Sequence, residues 1–326
     1  MNPFWTLILK GMAMGIAEVI PGVSGGTLAF ITGIYERLLH AIAQAFSPNN
    51  LHLLRQKKWK KWWSIIDGYF LLNLLAGMVL GIGLGVVFVT RLLASHPPVI
   101  WAFFFGLIIG SAVYISNKIK HWSLDKIVGI IVSTLFAVFI TSLPVLTGNT
   151  HLWYVFLSGV IAISALVLPG ISGSFMLLIM GMYLFIIDEN LKGLFTNPSL
   201  EHALVLVTFG LGALLGLVTV VRGLNYLLEH YHDLILSILT GFMIGSLNKI
   251  WPWKNVTAWL DKSTLKIMNG PVLMDVPHKI IQTHNVWPNA YEGGDPMMVS
   301  AIVAFVAGLV FVLALERMSV EKITSY

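Results

Sequence analysis

The feature that most constrains this chain is a six-residue stretch that occurs twice. Pro21-Gly22-Val23-Ser24-Gly25-Gly26 returns 148 positions later as Pro169-Gly170-Ile171-Ser172-Gly173-Ser174. The same offset places Gly11 on Gly159, Ala17 on Ala165, Gly33 on Gly181 and Tyr35 on Tyr183. Each copy interrupts an apolar segment with a proline, small residues and a hydroxyl. Self-similarity at a fixed offset marks a repeated structural unit, and the rest of the chain is read against it.

The solvent of this unit is lipid. The 326 residues are 57% hydrophobic and 11% charged, with a mean hydropathy of +0.83, where a soluble domain carries about 25% charged residues. The absence of cysteine excludes disulfides, zinc knuckles and thiol nucleophiles. The net charge of +5 does not point to nucleic acid. Five of the 20 Lys and Arg stand in Arg55-Gln56-Lys57-Lys58-Trp59-Lys60-Lys61, beside an apolar span, where a basic, Trp-containing segment suits an inner membrane surface and its lipids. Residues 1–20 do not read as a signal peptide, because Lys10 lies inside the apolar run and no small-residue cleavage site follows. The expected class is an all-α, multi-pass integral membrane protein of one domain.

The first apolar arm, 4–20, is roughly 25 Å long as a helix, short of the ~30 Å hydrocarbon core. A second short helix is predicted over about 27–46. Two such arms around a glycine-rich break predict a re-entrant hairpin or a broken helix, covered by protein or a watery cavity. Spans follow at about 67–90, 99–116 and 127–146. The second repeat has arms near 152–168 and 172–187 and spans near 202–228, 234–249 and 298–316. An offset of 131 aligns Gly81, Gly85 and Arg91 with Gly212, Gly216 and Arg222; one of 135 aligns Gly106, Gly110 and Ser111 with Gly241, Gly245 and Ser246. Gly77, Gly81 and Gly85 form a small-residue stripe that predicts close helix packing.

The chain thus divides into repeats at 1–146 and 147–326, the second with an external loop at about 250–297. Each repeat holds five hydrophobic pieces, which make five or three crossings. Either number is odd, so the second repeat is expected to be inverted, with its arms meeting the first pair at the centre; the alternative is a single broken span, which makes four crossings and a parallel repeat. The segments 47–63 and 117–126 carry five and three Lys/Arg, 147–151 none and 188–201 only Lys192. The first two then face the cytoplasm, as do both termini.

Three sets of residues could carry function. Ser24, Gly25, Gly26 and Thr27, with Ser172, Gly173 and Ser174, offer hydroxyls and close backbone approach to an anion where each arm restarts; the alternative is a plain helix-breaking turn. Arg91 and Arg222 suit either interfacial snorkelling or one cation at each mouth of an anion pathway. Glu18, a carboxylate inside an apolar arm whose repeat mate is Leu166, suits a proton-coupling site, or else a local hydrogen bond to the turn. No Lys-Ser or Lys-Thr follows the glycines, so a nucleotide loop is not supported. No catalytic set, metal-ligand cluster or cofactor motif is assembled.

The run from Lys10 through Gly11, Glu18, Pro21-Gly22-Val23-Ser24-Gly25-Gly26-Thr27, Phe30 and Gly33-Ile34-Tyr35 resembles the PopT family of bacterial polyprenyl-phosphate translocases. Leu168-Pro169-Gly170-Ile171-Ser172-Gly173-Ser174 with Gly181-Met182-Tyr183 is similar to its second motif, and the likeness covers about residues 5–250. The resemblance implies a flippase that returns undecaprenyl phosphate to the inner leaflet of the cytoplasmic membrane for cell-wall carrier recycling, coupled to protons or sodium ions. The two motifs would hold the phosphate while the tail stays in lipid. The alternatives are a membrane undecaprenyl-diphosphate phosphatase, whose family carries more glutamates and a histidine at its loops, and a small-anion channel or exporter. Subunit number, a homo-oligomer included, stays open.

Overall fold

The computed structural model describes residues 3–20, 23–146, 148–261, 267–270 and 278–320. Pro21 and Gly22, which open the first hexapeptide, lie outside the described residues, as does part of the 250–297 segment. The first arm is α1 (Pro3–Glu18). Beyond the motif, α2 (Gly25–Ile31) and α3 (Tyr35–Ala45) stand where one helix over 27–46 was expected. Gly33 makes the break. Its φ of +68° is left-handed, and its N–H donates to Phe30 O while Ile34 N–H donates to Ala29 O, the paired bonds that close a helix over such a residue. The basic segment forms α4 (Pro48–Arg55) and α5 (Trp59–Ile65). Next, α6 (Gly68–Leu84) runs through a π-helical turn (Gly85–Val89) into α7 (Thr90–Ser95), followed by α8 (Pro97–Ser116) and α9 (Leu124–Ser142).

The elements that follow resemble these in order. Helix α10 (Leu152–Val167) leads through the second motif to α11 (Gly173–Ile179), which Gly181 ends with the same φ of +68°. The bonds recur as well, Gly181 N–H to Leu178 O and Met182 N–H to Leu177 O. The chain then bends by 99° into a π-helical stretch (Leu184–Leu191) and α12 (Lys192–Thr196). Helices α13 (Leu200–His230) and α14 (His232–Ser246), three β-strands and α15 (Met298–Val320) complete it. Among the described residues, four helices are long and apolar enough to cross a membrane, or five with the bent pair. The protein is a multi-pass, mostly helical membrane protein.

Glycines set the packing register, and the register recurs. In the first half a Cβ on Gly77 would strike Ile8 O, and one on Gly81 Met12 O; in the second, Gly212 stands against Phe156 O and Gly216 against Val160 O. Helix α6 thus rides on α1 as α13 rides on α10, both pairs running parallel. Likewise Gly106 and Gly110 of α8 meet Phe305 and Leu309 of α15, as Gly241 and Gly245 of α14 meet Ile130 and Thr134 of α9. Small residues are what permit this backbone approach. The packing equates Gly77 with Gly212, an offset of 135 and not 131. This corrects the alignment of Arg91 with Arg222, which now stand one helical turn out of register.

Contacts also sort the ends of the elements. Arg37 of α3 pairs with Asp67 before α6 at 2.6 Å, and His232 at the start of α14 approaches Glu36 of α3 at 3.4 Å. Lys120 and His121, in the segment before α9, donate their N–H groups to Asp233 at 3.1 and 3.2 Å. Both basic segments therefore lie on one face. Helix α6 leaves this face, whereas α13 arrives at it.

The opposite face carries the strands. β1 (Lys254–Asp261) pairs antiparallel with both β2 (Ile267–Asn269) and β3 (His278–Asn285), in the order β2-β1-β3. The 250–297 segment, expected as a loop, thus contains a sheet. Asn248 donates to Thr141 and Ser142 at 3.2 Å each, and Asn285 donates to Asn248 O at 2.7 Å. Trp251 and Trp253 donate their indole N–H groups to Val286 O and Pro296 O. The sheet is tied to the ends of α9 and α14.

Candidate functional site

The two motif turns touch. Ser24 caps α2: its Oγ accepts the Gly26 N–H at 3.1 Å and donates to Leu166 O at 3.4 Å, at the end of α10. Thr27 Oγ1 accepts the Gly170 N–H at 3.0 Å, and Tyr35 OH donates to Val167 O at 3.0 Å. Ser24, Thr27 and Ser172 are buried, as are Gly25, Gly26 and Gly173. The glycines are needed for space. A Cβ on Gly26 would lie 3.1 Å from Val167 O, and one on Gly173 2.5 Å from Ala162 O.

The halves differ at one decisive place. Glu18 Oε1 accepts the Gly25 N–H at 2.6 Å, so the start of α2 already holds a carboxylate, which the N–H groups of a helix's first turn favour. Leu166 occupies the equivalent place in the second half, and Ser172 makes no side-chain bond to cap α11. Instead Ser172 Oγ and Ser174 Oγ lie 3.0 Å apart, with Ser174 half-buried. Gly25 and Gly26 of the first motif have their N–H groups held by Glu18 and Ser24, whereas the second motif keeps a hydroxyl pair.

The expected site residues separate accordingly. Glu18, Ser24, Gly25, Gly26 and Thr27 come together with the turn that leads to Ser172, Gly173 and Ser174. The arginines do not join them. Arg222 is exposed and donates to Phe46 O at the end of α3. Arg91 is exposed on α7, roughly 36 Å along the α6–α7 span from its start beside α3. The two therefore sit toward opposite faces.

Sequence reasoning missed three polar residues that touch the arms. Lys10 Nζ donates to Thr32 O at 2.5 Å, at the end of α2, and Tyr154 OH donates to Met180 O at 3.1 Å, at the end of α11. Lys249 Nζ lies 4.5 Å from the centroid of the Phe175 ring on α11. Lys10 carried a signal, a cation within an apolar arm. Lys249 did not, since a lysine closing a span reads as an interfacial anchor.

Residues 14–268 match the family model described as undecaprenyl phosphate translocase-like. The chain belongs to this family. It is 37% identical over 312 residues to the polyprenyl-phosphate transporter of Vibrio cholerae, covering 95% of each chain. To the polyprenyl-phosphate transporter of Staphylococcus aureus it is 32% identical over 272 residues, 78% of this chain and 89% of that one. Family and relatives carry the names of transporters rather than enzymes. No solved structure matches the chain.

Proposed function

We propose that this protein is a flippase that returns undecaprenyl phosphate from the outer to the inner leaflet of the bacterial cytoplasmic membrane, driven by a proton or sodium gradient. Its family and its relatives' names support polyprenyl phosphate as cargo, and set the phosphatase and small-anion alternatives aside.

The halves form inverted repeats in this reading. Its support is that α6 leaves the face at which α13 arrives, while each keeps the same parallel partner arm. The arms are re-entrant: Thr32, ending α2, returns beside Lys10 in the middle of α1, and Met180, ending α11, returns beside Tyr154 of α10. The basic face is cytoplasmic by the positive-inside rule; α1 begins and α15 ends on it.

The observation that carries the mechanism is the Glu18–Gly25 hydrogen bond beside the joined turns. The phosphate binds at the second motif, on Ser172, Gly173 and Ser174, where no carboxylate competes. Ser24, Gly25, Gly26 and Thr27 take part when protonation frees Gly25 from Glu18. A phosphate and an ionised Glu18 repel at this range, so cargo and proton enter together and coupling follows. Arg91 and Arg222 attract the anion at opposite faces.

Binding of undecaprenyl phosphate to purified protein tests this assignment. Replacing both Ser172 and Ser174 by Ala is expected to weaken binding by about tenfold or more, the loss of one or two hydrogen bonds to a charged group. Ser24→Ala is expected to weaken it less. The reverse order would contradict the assignment to the second motif.

A further inference from the structure

A polar recess lies on the face that carries the sheet. A cavity of about 270 Å³ opens where α9, α11 and the turn after α14 meet β3, lined in part by Phe175, Asn248, Lys249, Gln282, Thr283 and His284. That volume has room for a phosphate head and several waters, at ~30 Å³ of liquid volume per water. Among the described residues its lining contains no carboxylate.

Two lysines approach this recess with different fates. Lys254 Nζ donates to Lys249 O at 2.6 Å and lies 3.4 Å from the Trp101 centroid, so it is engaged. Lys249 Nζ lies 4.5 Å from the Phe175 ring centroid, and among the described residues it has neither a hydrogen-bond nor a carboxylate partner. Burial holds both lysines below the usual range, the more deeply buried Lys254 well below it, with repulsion from Lys249 a lesser cause. A half-buried cation in an acid-free recess is the arrangement an anion relieves.

The wall also indicates what the anion is attached to. Ser142 lines the cavity at the end of α9. Below it on the same helical stripe stand Phe139, Leu135 and Ile131, each more than half exposed on the apolar outer surface. A polar recess thus continues into a lipid-facing apolar track.

We propose that this cavity docks the head group of a polyprenyl phosphate on the sheet side. Lys249 pairs with the phosphate, Asn248 and the polar side chains of β3 bind its remaining oxygens, and the tail lies along Ile131, Leu135 and Phe139. The inference rests on the transport reading and adds to it a separate first docking point, with Phe175 and Ile179 of α11 forming the wall toward the second motif.

The test uses the full chain in nanodiscs, titrated with farnesyl phosphate and separately with inorganic phosphate. Wild type is expected to bind farnesyl phosphate more tightly than inorganic phosphate. Lys249→Gln should weaken farnesyl phosphate binding by about tenfold or more, Lys249→Arg should retain it, and Lys192→Gln should leave it unchanged. Because the chain has no cysteine, Gln282→Cys provides a second readout that keeps Lys249 intact. Farnesyl phosphate should slow its modification by a membrane-impermeant maleimide. Full affinity in Lys249→Gln, or no protection of Gln282→Cys, with wild-type binding and transport intact, would overturn the docking site alone. Equal affinity for inorganic phosphate, with the same dependence on Lys249, would overturn the lipid assignment. A wild type that neither binds nor moves polyprenyl phosphate would overturn the transport reading itself.

Discussion

Thr27 and Gly170 are joined by a buried hydrogen bond of 3.0 Å across 143 residues of sequence, hydroxyl oxygen to backbone N–H. This bond fixes one motif turn against the other. Thr27→Val keeps the shape of the side chain and removes the acceptor, leaving a buried N–H unpaired. It should cost about 1–3 kcal/mol, read as a lower melting temperature in detergent, and Thr27→Ser should restore most of it.

Gly33 and Gly181 hold the same left-handed conformation but not the same surroundings. A Cβ at Gly33 meets nothing, whereas one at Gly181 would lie 2.3 Å from Leu146 O and 2.4 Å from Gly148 N. Gly33→Ala should therefore cost only the conformational penalty, about 1–2 kcal/mol. Gly181→Ala should cost clearly more. Thermal unfolding of the two variants side by side checks the order.

Helix α13 supplies an internal control for the packing register. A Cβ on Gly212 would come within 2.0 Å of Phe156 O, while Gly210 has open space around it. Gly212→Ala should destabilise by about 1–3 kcal/mol through overpacking. Gly210→Ala should be neutral or gain up to about 1 kcal/mol from helix propensity. Equal melting temperatures would contradict the α10–α13 packing.

What the sequence disclosed, and what it hid, follows from the range of the signals. The 148-residue offset at the motifs was visible because proline, glycine and hydroxyl residues recur in order, and the Gly77, Gly81, Gly85 stripe announced close packing. The offset of the following helices was legible only modulo one turn. Glycines recur every four residues in both α6 and α13, so offsets of 131 and 135 both align them, and only the contacts with Ile8 and Phe156 choose. The break at Gly33 was hidden because apolar residues continue through it. The sheet was hidden because β1 pairs with strands separated from it by several residues and its register to β3 shifts twice, between Val256 and Ala258 and between Ala258 and Trp259. Glu18 stood out as a carboxylate in an apolar arm. A hydrogen bond to the turn was one of its two readings; that the partner is the Gly25 N–H at the start of α2 could not be read from composition, because the bond spans the motif turn.

The most direct measurement places undecaprenyl phosphate in one leaflet of liposomes holding the purified protein and follows its appearance in the other, with and without a pH or sodium gradient. The account predicts gradient-stimulated movement by wild type and gradient-independent movement by Glu18→Gln, which lacks the exchangeable charge beside Gly25. No movement by wild type, or a Glu18→Gln variant that still responds fully to the gradient, would contradict it.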